Sequence, residues 1–550
     1  MIAAFRFCLI SIAFLYIGFV KNASAQTTKQ YTLYFSDKAN NSYSLNRPLE
    51  FLSQRSLDRR KRQGIELDET DLPVSPKYLC ILAKDSLKII FTSAWQNCVT
   101  IQTKDSLFPQ KADKYPFVKY SRLVYNKSES GTKTETISQV SNDIYQSSQY
   151  GKSFRQLEIH NGQQLHDAGS QGQRMHIAVI DAGFWKVDTL KAFEKLRQRK
   201  GILATHDFVT GNDSVYEDAT HGMYVLSAIT GFLEGKLIGT APEAKFFLLR
   251  TENANSELIA EEFAWIAALE WADSAGADVV NSSLGYSLFD DPGMNHKYAD
   301  MNGETTPISK AASTAASKGM ILVSSAGNSG ATPWHYITTP ADAKDILTVG
   351  AVDSNGKVAK FSSRGPSADG RVKPDVSSVG VQTIVAGAAD GEVIGANGTS
   401  TAAPVITGLV TCLWQEFPDR SSFEIMDAVR KSAHLYQVPN DSLGYGIPDF
   451  AAARDILKAR VSQSHSFISR IYPNPFGGSF TVSFYSQKEE KANLYVTDML
   501  GRIVWSEPIM AHSNAMLSAT ISPKSYLPRG VYLVIIRLSD TTLKAKLIKD

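Results

Sequence analysis

Short, wholly apolar runs alternate with longer amphipathic segments through the middle of this chain. The runs lie at residues 177–180, 246–249, 279–280, 321–323 and 346–352. Such runs are typical of strands buried on both faces, and parallel strands must be joined by crossover connections, usually helices. The pattern therefore predicts an α/β domain with a mostly parallel central sheet and helices on both faces.

The longest connecting segment, residues 256–276, has the pattern of one of these helices. It opens with Ser256 as a candidate N-cap, continues with acidic residues and closes at Gly276. The apolar positions between them recur at helical spacing: Leu258, Ile259, Phe263, Ile266 and Leu269.

Composition narrows the class of protein and of partner. The 550 residues are 43% hydrophobic and 20% charged, which is an ordinary globular balance and excludes wholesale disorder or coiled coil. Lys and Arg number 57 against 55 Asp and Glu, a formal charge of +2. This balance argues against nucleic acid or an anionic membrane as the main partner.

The first 25 residues have the pattern of a secretory signal peptide. An early Arg6 precedes an apolar run at 7–20, and small residues stand at Ala23 and Ala25. The run is too short to span a bilayer and ends in a cleavage pattern, so removal on export is expected. No later segment is apolar enough to span a membrane, so no transmembrane span is expected in the mature chain.

The four cysteines give no metal or redox motif, because C-x-x-C is absent. Cys8 leaves with the signal peptide. Cys80 and Cys98 could pair within the N-terminal region. Cys412 lies alone in an apolar helical stretch and is interpreted as a small core residue.

The rest of the chain divides into three parts. Residues 26–149 mix strand-like pieces with a basic stretch and end in a polar run at 126–143, which is typical of an exposed linker. The α/β pattern occupies 150–460. Residues 466–550 change to alternating strands with turns, which predicts a small antiparallel β-sandwich.

Three polar residues stand where this pattern places reactive groups. Asp181 follows a buried strand, His221 begins an apolar-periodic helix, and Ser400 stands two residues after Gly398 at a helix start. Pro404 is expected in the first turn of that helix. Each residue alone could be structural. Together, in the order Asp, His, Ser, they follow one of the three known chain orders of the Ser-His-Asp triad.

Here the sequence resembles the subtilisin-like serine endopeptidases, the subtilase family. Over about 150–460 it matches the motifs V-I-D-A-G, H-G, S-S-L-G, S-S-A-G-N and G-T-S-T-A-A-P in order. The resemblance implies that Ser400 is the nucleophile, His221 the general base and then acid, and Asp181 the residue that orients the imidazole. Asn328 is implied as the oxyanion donor, together with the Ser400 backbone N–H.

The same resemblance implies a place for an extended protein or peptide substrate. Three residues match the edge on which the family lays the substrate backbone: Ser283, Leu284 and Gly285. Four more match one wall of the P1 pocket: Ser324, Ser325, Ala326 and Gly327. Their small size leaves room for a sizeable neutral P1 side chain.

The flanking regions resemble other parts of secreted subtilases. Residues 51–65 look like an α+β pro-region that assists folding and blocks the cleft, although a permanent N-terminal domain is the alternative. Residues 471–480, 497–505 and 527–536 resemble a type IX secretion sorting domain. This implies a secretion machinery as partner and a route through the periplasm and outer membrane of a Gram-negative cell to its surface or beyond.

Other classes of protein have less support. A catalytically silent subtilase-like surface protein used for adhesion is the main alternative, and the complete triad argues against it. A zinc peptidase would need H-E-x-x-H, which is absent. No cofactor is expected. Structural calcium is common in the family but has no assignable ligand loop here, and Asp290 and Asp291 are interpreted as solvated surface.

Overall fold

The computed structural model describes most of the chain. The described residues are 28–85, 87–105, 107–112, 114–126, 137–138, 149–217, 219–462, 467–472, 474–486, 488–512, 515–523 and 527–549. The predicted signal peptide and most of the polar linker lie outside them. Within these ranges no helix has the length and apolarity needed to cross a membrane.

The N-terminal region is an α+β unit built on a four-stranded antiparallel sheet of order β2-β3-β1-β4. Its strands are β1 (Lys29–Phe35), β2 (Lys88–Ser93), β3 (Cys98–Thr103) and β4 (Val118–Asn126). Its helices are α1 (Gln54–Arg62), α2 (Pro76–Lys84) and α3 (Phe108–Ala112). Alternate apolar residues of the strands, such as Leu33 and Val99, form its core. A strand of two residues in the linker, β5 (Ile137–Ser138), follows.

A seven-stranded parallel sheet forms the centre of the α/β region, with the order β14-β13-β12-β11-β6-β10-β7. Its strands are β6 (His176–Asp181), β7 (Ile202–Asp207), β10 (Lys245–Arg250), β11 (Val279–Ser282), β12 (Ile321–Ser325), β13 (Leu347–Val352) and β14 (Val376–Val379). Short antiparallel pairs are β8 (Phe232–Leu233) with β9 (Leu237–Ile238), and β15 (Thr383–Ala386) with β16 (Val393–Ala396).

Helices cover both faces of this sheet. They are α4 (Phe154–Glu158), α5 (Gln163–Asp167), α6 (Glu194–Gln198), α7 (His221–Thr230), α8 (Ile259–Ala275), α9 (Pro307–Ser317), α10 (Thr399–Glu416), α11 (Ser422–Ser432) and α12 (Phe450–Ser462). In β6, Ile177 and Val179 share a core with α7 and α10, whereas Ala178 and Ile180 share a core with α8 and α9. The predicted α/β fold with a mostly parallel sheet is therefore confirmed.

The strand order reverses beside β6. Strands β7 and β10 lie on one side of it, and β11 to β14 follow one another on the other side. In open α/β sheets, ligands bind beyond the carboxyl ends of the strands at such a reversal. Here those ends are Asp181 of β6 and Ser282 of β11.

The predicted helix at 256–276 forms, but it begins later than expected. Helix α8 starts at Ile259, where Glu261 Oε2 accepts a 2.9 Å hydrogen bond from Leu258 N. The expectation that Ser256 is the N-cap is wrong, because the N-cap is Leu258, whose backbone N–H donates to the Glu261 side chain. The helix ends, as predicted, at Gly276, whose φ of 92° is the left-handed conformation that favours glycine.

The C-terminal region consists of two antiparallel sheets, with the orders β17-β18-β21 and β20-β19-β22-β23. Its strands are β17 (Phe467–Tyr472), β18 (Phe480–Ser486), β19 (Glu490–Asp498), β20 (Ile503–Ala511), β21 (Ala515–Ile521), β22 (Gly530–Arg537) and β23 (Thr542–Lys549). Inward-facing residues such as Phe484, Leu494 and Val534 form one core between them. The predicted small antiparallel β-sandwich is confirmed.

The three described cysteines are free thiols. Cys80 is exposed and Cys98 is buried, so the disulfide that their spacing left open is not formed. Cys412 is fully buried on α10, and its burial raises the pKa of the thiol. This agrees with its interpretation as a core residue rather than a nucleophile.

Candidate active site

Asp181 ends strand β6 with its side chain fully buried. Its Oδ1 accepts a 2.6 Å hydrogen bond from His221 Nδ1 and a 2.8 Å bond from Ala182 N. Its Oδ2 is buried without a hydrogen-bond partner among the described residues. A buried carboxylate on Nδ1 fixes the ring orientation and leaves Nε2 as the proton acceptor.

His221 is the first residue of α7, and the next residue lets the helix approach the strand closely. A Cβ on Gly222 would overlap the Gly183 carbonyl oxygen and lie 3.0 Å from Asp181 Cβ. Glycine is therefore required for the His221–Asp181 contact. The H-G pair in the sequence thus has a steric cause.

Ser400 is the second residue of α10 and is almost completely buried, with 8% of its surface exposed. Gly398 precedes the helix with φ 155° and ψ 154°. Pro404 is the sixth residue of the helix, so its expected place in the first turn is wrong. Because proline lacks an N–H, the Ser400 carbonyl loses its helical partner and accepts a 2.8 Å bond from Ser283 Oγ instead.

Three polar groups surround the space that Gly398 leaves open. A Cβ at that position would lie 2.7 Å from Ser400 Oγ, and 3.6 Å from both Asn328 Nδ2 and Ser400 N. A hydroxyl and two N–H donors therefore converge on one small volume next to the start of a helix. Such donors can stabilise negative charge on a carbonyl oxygen attacked by the hydroxyl.

Thr399 holds the amide of Asn328 in this orientation. Its backbone N and its Oγ1 each donate a 2.9 Å hydrogen bond to Asn328 Oδ1, which directs Nδ2 away from Thr399. Thr399 Oγ1 also accepts a 3.1 Å bond from Gly327 N. Sequence reasoning missed Thr399 as a positioning residue, although its place directly before Ser400 was a usable signal.

The expected substrate edge follows strand β11. Ser283 is buried, Leu284 is half-buried and Gly285 is exposed. Asn281 Nδ2 donates to Ser283 Oγ at 3.0 Å, and Thr407 Oγ1 of α10 donates to Asn281 Oδ1 at 2.8 Å. Hydrogen bonds therefore tie this edge to the helix that carries Ser400.

The expected P1 wall follows strand β12. Ser324 and Ser325 are the last two residues of that strand and are buried, and Ala326 is fully buried. Gly327 is half-buried with φ 104°, and its neighbour Asn328 is exposed. Of the four wall residues, only Gly327 has appreciable exposed surface.

The N-terminal unit packs on α8 through a half-buried carboxylate, that of Glu270. Glu270 accepts hydrogen bonds from Ser93 Oγ, from Ala94 N at 2.6 Å and from Trp95 N at 3.2 Å. Burial raises the pKa of the Glu270 carboxyl to about 7, although the three hydrogen bonds favour its charged form and act in the other direction.

The linker also pairs with the α/β region. Ser138 of β5 pairs with Gly395 of β16, a strand that ends shortly before Ser400 in the sequence.

A second contact of the N-terminal unit is a buried charge cluster, which we name the α1 cluster. Asp273 of α8 is bonded to Arg59 and, at 2.6 Å, to Arg60. In a second pair the α/β region supplies the cation: Lys318 lies 2.9 Å from Asp71 of the N-terminal unit. All five side chains are at most 5% exposed.

One group of carboxylates in the described part of the chain is close enough to hold a metal ion. Its members are Glu252, Glu257 and Glu261, whose ligand atoms lie within 4.8 Å of one another. Glu252 accepts from Tyr286 O–H, and Glu261 accepts from two backbone N–H groups. Asp290 and Asp291, expected as solvated surface, are half-buried: Asp290 accepts from Glu257 N at 3.2 Å, and Asp291 accepts from Gly293 N at 2.9 Å.

Family profiles match all three parts of the chain. The subtilase family matches residues 172–446, a peptidase S8 propeptide domain of Bacteroidota matches 30–141, and a secretion system C-terminal sorting domain matches 470–550. The sorting domain indicates export to the cell surface or the medium.

Individual relatives are similar over the α/β region. Subtilisin BL of Lederbergia lenta is 28% identical over 269 residues, which are 49% of this chain and 86% of that protein. Membrane-bound transcription factor site-1 protease of Mus musculus is 29% identical over 317 residues, 55% of this chain but only 27% of that protein. This chain therefore spans about a quarter of the length of that relative.

The fold also matches a solved structure. The epidermin leader peptide processing serine protease of Staphylococcus aureus superposes with a TM-score of 0.54 and 16% identity, covering 78% of this chain and 99% of that one. At this identity the likeness concerns the fold alone. The family profile, which covers half of the chain, shows that this protein belongs to the subtilase family.

Proposed function

We propose that this protein is a secreted serine endopeptidase that hydrolyses peptide bonds of proteins through an acyl-enzyme. The observation that carries the proposal is the volume beside Gly398, on which Ser400 Oγ, Ser400 N and Asn328 Nδ2 converge. The 2.6 Å pair of His221 with buried Asp181 supplies the base that such a hydroxyl needs.

In the proposed mechanism, Ser400 Oγ attacks the scissile carbonyl carbon while His221 Nε2 takes the hydroxyl proton. The Asp181 carboxylate stabilises the imidazolium that forms. Asn328 Nδ2 and Ser400 N donate to the oxyanion of the tetrahedral intermediate. His221 then protonates the leaving amine, and water hydrolyses the ester on Ser400 by the same steps in reverse order.

The substrate is proposed to lie extended beside Ser283, Leu284 and Gly285, paired with their backbone as an added strand. The P1 side chain would enter the gap between this edge and the wall at Ser324, Ser325, Ala326 and Gly327. The hydrogen bond from Ser283 Oγ to the Ser400 carbonyl supports this arrangement, because it fixes the edge relative to the nucleophile.

The remaining parts are proposed to serve folding, latency and export. Residues 26–149 act as a removable pro-region, 150–460 as the peptidase domain and 466–550 as the sorting domain that engages the secretion machinery. The contacts of Glu270 and of the α1 cluster support a pro-region that folds on the peptidase domain.

Cleavage of a peptide library by the purified processed protein tests the function. The wild-type protein should cleave, and Ser400→Ala should lower kcat by about 10⁴-fold or more while remaining folded. Ser432→Ala on α11 is the matched control and should cleave normally. Equal cleavage by Ser400→Ala would refute the assignment, and a processed wild-type protein that cleaves nothing would favour the silent adhesion alternative.

A further inference from the structure

A third segment, residues 338–339, is hydrogen-bonded to both proposed substrate walls. Thr338 N donates to the Ala326 carbonyl at 3.3 Å, and Thr339 exchanges backbone bonds of 3.2 and 2.8 Å with Tyr286. Residues 338–339 are therefore attached to both walls at once. Any side chain that enters the gap between the walls meets this segment.

The side chain of Thr338 lies against the glycine of each wall. A Cβ on Gly285 would overlap Thr338 Oγ1, and a Cβ on Gly327 would lie only 3.0 Å from it. Both glycines thus leave open a space into which the same hydroxyl projects. The Thr338 side chain fills part of that space, which is therefore smaller than the two glycines alone would leave it.

The Thr338 hydroxyl is buried but has no hydrogen-bond partner within the described ranges. The residue is 5% exposed. Neighbouring hydroxyls differ in this respect: Thr339 Oγ1 bonds to Thr306 Oγ1 at 2.8 Å, and Ser363 Oγ accepts from Ser329 N at 3.0 Å. A buried hydroxyl without a partner loses its hydration and gains nothing in return, unless a ligand supplies the missing bond.

We propose that Thr338 forms the floor of the P1 pocket and selects a short, neutral, hydrogen-bonding P1 side chain, such as that of Asn, Ser or Thr. The selection rests on the proposed peptidase function. The sequence alone predicted room for a sizeable neutral P1 side chain. The proposal restricts this to a short one, because the Thr338 side chain takes up space that a large ring would need. The side chains nearest to the two glycines, those of Thr338 and Ser363, are uncharged, which favours a neutral P1 group.

Paired substrates of equal shape test the hydroxyl. Peptides that differ only at P1, as Asn against Leu and as Thr against Val, are compared by kcat/KM. The wild-type protein should prefer the polar member of each pair at least tenfold, because a site built for a hydrogen bond rejects an analogue that lacks it. Thr338→Val, which keeps the shape and removes the hydroxyl, should abolish or invert both preferences.

Three further variants exclude a merely structural effect. Thr338→Ser keeps the hydroxyl and should keep the Asn preference, even if Thr338→Val folds poorly. Thr338→Gly should deepen the pocket and raise kcat/KM for a P1 Phe or Leu. Thr339→Val loses a hydroxyl that is already bonded to the protein, so it should lower stability and leave the P1 ratios unchanged.

The proposal fails if Thr338→Val or Thr338→Gly shows the wild-type P1 ratios, or if the wild-type protein prefers aromatic P1 residues. Hydrolysis with unshifted ratios would overturn this proposal and leave the peptidase function standing. If no peptide is hydrolysed, the function itself fails. In that case binding of the same peptide pairs to Ser400→Ala, measured by calorimetry, still decides whether Thr338 discriminates them.

Discussion

Ser283 Oγ donates a 2.8 Å hydrogen bond to the carbonyl of Ser400, which Pro404 leaves without its helical partner. The bond joins the strand end that carries the proposed substrate edge to the first turn of the helix that carries the proposed nucleophile. The proposed substrate edge and the proposed nucleophile are thereby held by one connected unit.

Removal of that bond should affect both stability and catalysis. We expect Ser283→Ala to lower the free energy of unfolding by about 1–3 kcal/mol, because a buried carbonyl loses its partner. We also expect a lower kcat from misplacement of Ser400. Thermal unfolding and peptide hydrolysis measure these effects, with Ser287→Ala as the control. An unchanged melting temperature would contradict the inferred role of the bond.

The assignment of Asn328 as an oxyanion donor predicts a graded loss of kcat among three variants. Asn328→Ala should lower kcat by about 10²–10³-fold with little change in KM, because the donor acts only on the developing charge. Thr399→Val should lower kcat about tenfold, since it removes one of two bonds that orient the Asn328 amide. Thr399→Ser keeps the hydroxyl and should keep the wild-type kcat. Equal losses for Thr399→Val and Thr399→Ser would show that Thr399 does not act through its hydroxyl.

Docking of the N-terminal unit should weaken as pH rises. Burial raises the pKa of Glu270 from 4.5 to about 7 in the docked state, so that state binds a proton that the undocked state releases. The docking equilibrium constant is then largest below pH 4.5, falls between pH 5 and 7, and stays low above pH 7. The total decrease from this group alone is roughly 10²-fold.

The measurement is the fraction of N-terminal fragment that coelutes with linker-cleaved Ser400→Ala protein between pH 4.5 and 8. Glu270→Gln should flatten this profile, and Glu304→Gln at an exposed site should not. A fraction that rises with pH in the otherwise unchanged protein would contradict the sign.

The α1 cluster should contribute strongly to the stability of the uncleaved chain. Arg59→Gln leaves the buried Asp273 without one of its two cations and should cost roughly 3–5 kcal/mol. Lys61→Gln, on the exposed side of the same helix, should change stability by less than about 0.5 kcal/mol. Denaturant unfolding of the Ser400→Ala chain compares them, and equal midpoints would refute the buried assignment.

Removal of residues 466–550 should separate export from catalysis. The C-terminal sandwich has its own core and supplies none of the proposed catalytic residues, so the purified truncated protein should keep most of its peptidase activity. In the native host, the truncated product should accumulate in the periplasm. Normal amounts at the surface or in the medium would contradict the sorting role.

The strands that carry the site could be predicted from sequence because each is fixed by local pattern. Buried strands such as β6 are short apolar runs, and Gly222 and Gly398 mark close approaches of the backbone. The motif order then predicted the pairing of His221 with Asp181, which the structure contains at 2.6 Å. The catalytic roles themselves stay predictions.

Other features depend on contacts between distant segments and left no local signal. Thr338 meets Gly285 and Gly327 only after three loops converge. Arg59 and Arg60 belong to a basic stretch of the sequence, yet each is buried against Asp273, more than 200 positions away. The late start of α8 was missed because the N-cap is Leu258, an apolar residue that gives no capping signal in the sequence.

The α1 cluster also determines how the two units recognise each other. The N-terminal unit contributes Arg59, Arg60 and Asp71, and the α/β region contributes Asp273 and Lys318, so each side carries charges of both signs. Because these pairs are buried, salt screens them little. Recognition therefore occurs at contact, where opposite charges must alternate in register, and a displaced docking would place like charges together.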